Sequence, residues 1–190
     1  YSLLLSADFG QIPFNPSMNV HSVSLAMYLE DLNFGAGATG MTFTVHRVLT
    51  TGWSETTATW NGTGSALWGA PGMQAGVDYD ATPIDTVFIS NSQATDTAIF
   101  FNLGHRMMYI DGVHSWVIIG TPTQGWMEAD FADNSDTTSS KRPLLMMNYT
   151  DIDSITISPT ATTINADSTV QFSASTFDYN SLVASVPVEL

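Results

Sequence analysis

Residues 52–72 read GWSETTATWNGTGSALWGAPG and place Trp53, Trp60 and Trp68, three of the chain's five tryptophans, in a connection otherwise rich in Ser, Thr and Gly. The stretch just before it, Thr42–Leu49, has the residue types of a β-strand. A W-S-E-x-x-x-T-W segment after a strand is expected to form a long loop whose aromatic rings hold it back against a sheet. Ordered loops of that length are uncommon unless they serve a purpose.

Outward from this loop, period-2 alternation recurs in short bursts separated by Gly, Pro, Asn and Asp. That is the pattern of many antiparallel strands rather than of βαβ units. Val23, Leu25, Met27 and Leu29 share one face of a strand, Phe43 and Val45 do so in another, and Val87 and Ile89 in a third. Ala98–Phe101 and Trp116–Ile119 are short apolar runs typical of inner strands. Helical periodicity is confined to the region around Leu103–Ile110. Residues 1–150 therefore read as an all-β, jelly-roll-like antiparallel β-sandwich with one short helix.

Several ordered pieces resemble the DNRLRE family, an extracellular β-sandwich module related to carbohydrate-binding modules. Leu3–Pro13 (LLLSADFGQIP) and Val23–Leu29 (VSLAMYL) look like its "L-L-x-F-D-x-x-x-I-P … A-x-L-x-L" opening. Val45–Val48 looks like its "V-x-R-V" strand, and Leu103–Asp111 (LGHRMMYID) sits where the family has its helix. Arg142-Pro143 leading into LLMMNY is similar to its "R-P-x-L-x-V-x-Y" ending. Pieces in this order over residues 1–150 are more specific than any single motif. The family's first strands, which precede the "L-L-x-F" segment, have no counterpart here. The resemblance implies a secreted or cell-surface module that accompanies catalysis rather than performing it.

Composition agrees with an extracellular or cell-surface all-β protein. With 190 residues, 44% of them hydrophobic and 11% aromatic, there is material for one sandwich core and a smaller appendage. Eighteen acids against four bases give a formal charge of −14, so nucleic acid and anionic lipid are excluded as partners by repulsion. The absence of cysteine removes disulfides, thiolate metal sites and cysteine nucleophiles. No run of about 18 apolar residues points to membrane insertion, and a secretion signal or anchor is expected to have been removed or never included.

At Thr150–Ser154 the pattern changes. Residues 151–190 contain five acids and no Lys or Arg, and SITISPTATTINADSTVQFSAS resembles the first two strands of bacterial immunoglobulin-like repeats. About 40 residues cannot close such a sandwich, which needs on the order of 100. Residues 151–190 are therefore expected to be a short, incomplete Ig-like β segment. Its last stretch sets Leu182, Ala184, Val186, Val188 and Leu190 on one side, an amphipathic strand that needs a groove. Pro187 lacks an N–H, so near it the strand pairs fully on at most one edge. A first domain short of strands and a chain ending in a free strand complement each other. The expectation is a structural homopolymer whose subunits donate a strand head to tail into a filament or fibre. The alternative is a piece of a longer multidomain surface protein, in which the sandwich serves as a carbohydrate-binding module.

Chemistry is sparse. His21, His46, His105 and His114 show no metal-binding spacing, and alternation with Val45 and Arg47 puts His46 at a surface or edge. There is no G-x-S-x-G, P-loop or G-x-G-x-x-G, so no enzyme is expected. The paired carboxylates Glu30-Asp31, Asp78 with Asp80, Glu128 with Asp130 and Asp133 with Asp136 read as solvated charges by default, and a glycan-cleaving pair is the minor reading. No cofactor is expected beyond Ca²⁺, for which Asp133 and Asp136 offer clustered oxygen donors. Among aromatic platforms for a polysaccharide, Trp68 and Trp126 stand beside glycines, whereas Trp53 and Trp60 read as loop anchors and Trp116 as core. Asn61-Gly-Thr63 and Asn148-Tyr-Thr150 are sequons that would make this a glycoprotein.

Overall fold

The computed structural model describes residues 2–9, 18–104, 112–133, 135–151, 154–158, 171–178 and 181–189. The chain divides into two compact units, Tyr1–Ile12 with Ser22–Met147, and Pro13–His21 with Asn148–Leu190.

The larger unit is a sandwich of two antiparallel sheets. One sheet has the order β1-β6-β3-β4, built from β1 (Ser2–Asp8), β3 (Gly40–Arg47), β4 (Asp85–Ser90) and β6 (Val113–Pro122). The other joins β5 (Thr97–Gly104), β2 (Met18–Phe34) and β7 (Met127–Phe131), with β8 (Leu144–Asp151) also paired to β2. The links β1 to β2, β2 to β3, β4 to β5, β5 to β6 and β6 to β7 each carry the chain from one sheet to the other. That alternation is the jelly-roll-like winding expected from the strand pattern.

Period-2 patterning sets the core. Val23, Leu25, Met27 and Leu29 of β2 are buried and face Phe43, Val45 and Ile118 of the opposite sheet. Phe43, Phe101 and Phe131 meet edge to face between the layers, with centroids 5.8 to 6.3 Å apart. Along β6 both faces are closed, since Trp116, Val117 and Ile118 are all buried. The apolar run 98–101 behaves differently. Ile99 and Phe101 point inward while Phe100 is exposed, because β5 lies at an edge of its sheet and has a wet outer face.

Two expectations need correction. Leu103 and Gly104 belong to β5 rather than to a helix, and the rest of the expected helix, residues 105–111, lies outside the described residues. Among the described residues the longest helical piece is the 3₁₀ turn Ser139–Lys141. The second correction concerns the C-terminal strand. The smaller unit holds a three-stranded antiparallel sheet in the order β11-β10-β9, from β9 (Ser154–Ser158), β10 (Gln171–Asp178) and β11 (Ser181–Glu189). So β11 is not a free strand. It pairs with β10 along its length, from Asp178↔Ser181 to Gln171↔Glu189, and Pro187 stands opposite Ser173. The physical reason is proximity: closing so short a hairpin costs far less chain entropy than finding a distant groove.

Lys141, the chain's single lysine, ties the turn before β8 to the sandwich. Its ammonium lies 3.0 Å from Asp96 Oδ1 and 3.6 Å from Glu30 Oε1, over the Tyr28 ring. The hydrogen bond to Asp96 raises its pKa above the usual lysine value. A raised folded-state value means the tie is fully present below the ordinary lysine range and is lost as pH climbs through the raised value. Denaturant titrations across the alkaline range are expected to show a small decline in stability that Lys141→Met lacks, small because solvent screens the pair.

Candidate functional site

The loop at 49–84 folds over the outer face of the β3–β6 sheet, as its tryptophans led one to expect. Asp78 organises it. This carboxylate is 2% exposed and accepts hydrogen bonds from Thr50 Oγ1 (2.9 Å), Gly69 N–H (2.8 Å) and Gln74 N–H (2.7 Å). It is therefore a buried tie and not a solvated charge. Sequence reasoning missed this because the three donors come from separate points of a loop with no regular period. His46 is also buried rather than superficial: Tyr79 packs against its ring at 4.9 Å. Its Nδ1 pairs with the Asp80 carbonyl (2.7 Å) and its Nε2 with Thr44 Oγ1 (2.9 Å). Both ring nitrogens are thus committed to the fold.

The tryptophans sort differently from expectation. Trp68 is buried, with its indole N–H donated to the Thr59 carbonyl at 2.8 Å, so its ring cannot serve as a sugar platform. It is the anchor of the loop, together with half-buried Trp53, whose indole N–H reaches Ser115 Oγ at 3.2 Å. Trp60, read as an anchor, is 61% exposed, and Trp126 is 57% exposed. Flanking glycines did not discriminate, because both buried and exposed tryptophans in this chain have them.

Of the other paired carboxylates, Asp31, Asp133 and Asp136 have local partners. Asp31 accepts from Leu32 N–H and Asn33 Nδ2, while Glu128 and Asp130 lie on the wet side of β7. Asp133 accepts from both the hydroxyl and the N–H of Ser135, each at 2.7 Å, which holds its pKa below the usual carboxylate value. Asp136 accepts from Thr138 N–H at 2.6 Å. The two proposed calcium ligands are thus used within their own turn. Among the described residues no group of three or more His, Asp or Glu side chains converges as a metal site would. The sequon residues Asn61 and Asn148 are both exposed.

What stands out is the edge of a sheet. β1 pairs with β6 on one side, and among the described residues no strand pairs with its other side. Its sequence, SLLLSAD, carries none of the Lys, Pro or bulge that usually blunts an edge. Register places Leu3 opposite Ile118 and Leu5 opposite Trp116, both core residues, so these leucines face the space between the sheets. Beside them a groove of about 380 Å³ runs into the sandwich, lined by Leu25 and Met27 of β2, Trp116, Phe131 and Leu145. Leu3 is 38% exposed. The arrangement is a row of unpaired backbone groups beside an apolar slot, which suits an extended strand with alternate apolar side chains.

The five residues expected to form the assembly strand, Leu182, Ala184, Val186, Val188 and Leu190, fall on β11 except Leu190, which lies outside the described residues. β11 is an end strand of its sheet, with one edge on β10 and no described strand on the other. No family model, curated protein or solved structure matches the chain.

Proposed function

We propose that this chain is a non-catalytic structural subunit of an extracellular or cell-surface filament. In it, β11 of one copy lies along β1 of the next, adding a strand to its sheet and its apolar side chains to the groove. The observation that carries this reading is β1 itself, an apolar, unblunted edge beside an open slot. The DNRLRE-like pieces and the acidic, lysine-poor composition support the same setting. β1 and β11 are different surfaces, so the contact is heterologous and does not close on itself, which makes a fibre its natural product. Since β11 is held in a hairpin with β10, the donated element is the outer edge of that hairpin rather than a loose tail.

Energetics are compatible. Each buried Leu or Val contributes about 1.5–3 kcal/mol, and ladder hydrogen bonds add about 1 kcal/mol each. Against this stands an association cost of about 4–15 kcal/mol. A full strand offsets that cost more securely than half of one does. The test is removal of residues 151–190. A folded sandwich that no longer forms filaments is expected; filaments of unchanged appearance from the shortened chain would refute the proposal.

A further inference from the structure

Arg47 stands apart in a chain with eighteen acids and four bases. It closes β3 and is exposed, yet among the described residues no carboxylate lies within ion-pair distance of it and its guanidinium has no hydrogen-bond partner. Together with Ser6, His114 and Ser115 it lines a pocket of about 290 Å³ where the long loop leaves the sheet. No Asp or Glu lines this pocket. The groove beside β1 has Glu55 and Asp133 in its walls, and the cleft at Met41 has Glu128 and Asp130, so acid-free walls are not general in this chain. The pocket is also rich in hydrogen-bond donors. Ser115 Oγ accepts from the Trp53 indole, which leaves its own hydroxyl hydrogen to give. The backbone N–H groups of Thr51, Gly52 and Trp53 donate to nothing among the described residues. Gly52 turns the chain there at φ 79°, with open space where a side chain would be. The remaining walls are apolar: Leu49 and Val113 are exposed, and the half-buried Trp53 ring is fixed by its bond to Ser115.

We infer that this pocket binds a small organic acid with one carboxylate and a compact apolar body. The planar guanidinium presents a fork of parallel N–H donors that matches a carboxylate, and charge-assisted pairs of this kind are roughly twice as strong as neutral ones. The formal charge of −14 sets the valence of the ligand. Each further negative charge on an incoming anion meets more long-range repulsion, whereas salt screens that repulsion beyond about 8 Å and leaves direct contact with Arg47 intact. A monoanion is therefore favoured over a phosphate ester or a dicarboxylate. Leu49, Val113 and Trp53 suit a short aliphatic or aromatic body, and the volume falls at the small end of ligand pockets, which run from roughly 300 to 1,000 Å³. All the walls belong to one subunit, so this binding does not rest on polymerisation.

The test is fluorine NMR of 4-fluorobenzoate mixed with the intact chain, which reads the ligand whether the protein is dispersed or assembled. The neutral 4-fluorobenzamide, the dianionic 4-fluorophenyl phosphate and a fluorinated peptide amide bearing one glutamate are run beside it. Line broadening of the benzoate that saturates with concentration is expected, with little for the amide or the phosphate. Arg47→Gln should weaken the apparent affinity about tenfold, and Arg47→Lys, which keeps the charge without the fork, should lose part of that. Lys141→Gln, remote from the pocket, should bind like the parent. Arg47 is exposed and unpaired, so thermal melts of its variants are expected to match the parent. Equal broadening of the benzoate and the benzamide would overturn the inference without recourse to any variant. So would binding that both Arg47 variants retain in full, or a phosphate ester that binds more tightly than the benzoate. Broadening of the peptide alone would assign the pocket to a protein carboxylate and overturn its assignment to a small organic acid.

Discussion

Replacing Leu3 and Leu5 together by lysine is expected to raise the critical concentration for assembly by about tenfold or more, while the subunit stays folded. Both side chains face the groove beside the open edge, and because each is already partly buried, covering what remains exposed contributes about 0.5–1 kcal/mol apiece. Removing both contributions corresponds to about one power of ten in an equilibrium constant. Lysine on an edge also opposes pairing directly, because the incoming strand must bury or displace a charge. The monomer tolerates the change better. Leu3 is already partly in water and Leu5 half-buried, so lysine stems can lie along the slot with their ammonium groups outside. Sedimentation velocity reads the assembly and circular dichroism reads the fold. Undiminished polymerisation by the double variant would mean that β1 is not the acceptor.

A change of Asp78 to alanine is expected to lower the stability of the sandwich by about 3 kcal/mol, the largest effect of any surface-loop substitution here. The carboxylate serves Thr50 from the start of the loop, Gly69 from its middle and Gln74 from near its end. Its loss leaves two backbone N–H groups and a hydroxyl facing the part-buried place that the carboxylate filled, and unmade hydrogen bonds there cost more than made ones contribute. For a chain of this size that corresponds to a fall of roughly 6–12 °C in Tm. Asp78→Asn should be milder, since its amide oxygen still accepts. The two variants separate a hydrogen-bonding role from mere bulk. If both melt like the parent, the loop is held by Trp68 and Trp53 alone.

The sandwich was legible because one physical rule writes it. Strands with one wet face alternate, and Val23 to Leu29, Phe43 with Val45, and Met127 to Phe131 all do so. The long loop declared itself through its tryptophans for a similar reason: so much aromatic surface needs somewhere to go. Which rings go inside was not legible. Trp68 is buried and Trp60 exposed because of turns set by Gly62, Thr63 and Gly72, contacts that no sequence period encodes. His46 and Asp78 escaped for the same cause, since each is buried by residues about 30 positions away or scattered over a loop. The C-terminal strand was legible as a strand but misread as free. Alternation identifies a half-buried strand without saying what covers it, and β10, a few residues away, was the nearest partner. The open edge of β1 could be suspected from three successive leucines but located only by topology, because an edge is defined by which strand is missing beside it.

The most direct test is cryo-electron microscopy of the purified chain at neutral pH, carried to a resolution at which strands are separated. The account predicts regular filaments in which β11 of each 20.5 kDa subunit lies against β1 of its neighbour and fills the groove beside Leu3 and Leu5. Dispersed single subunits at every concentration, or filaments in which the β1 edge remains uncovered, would contradict it.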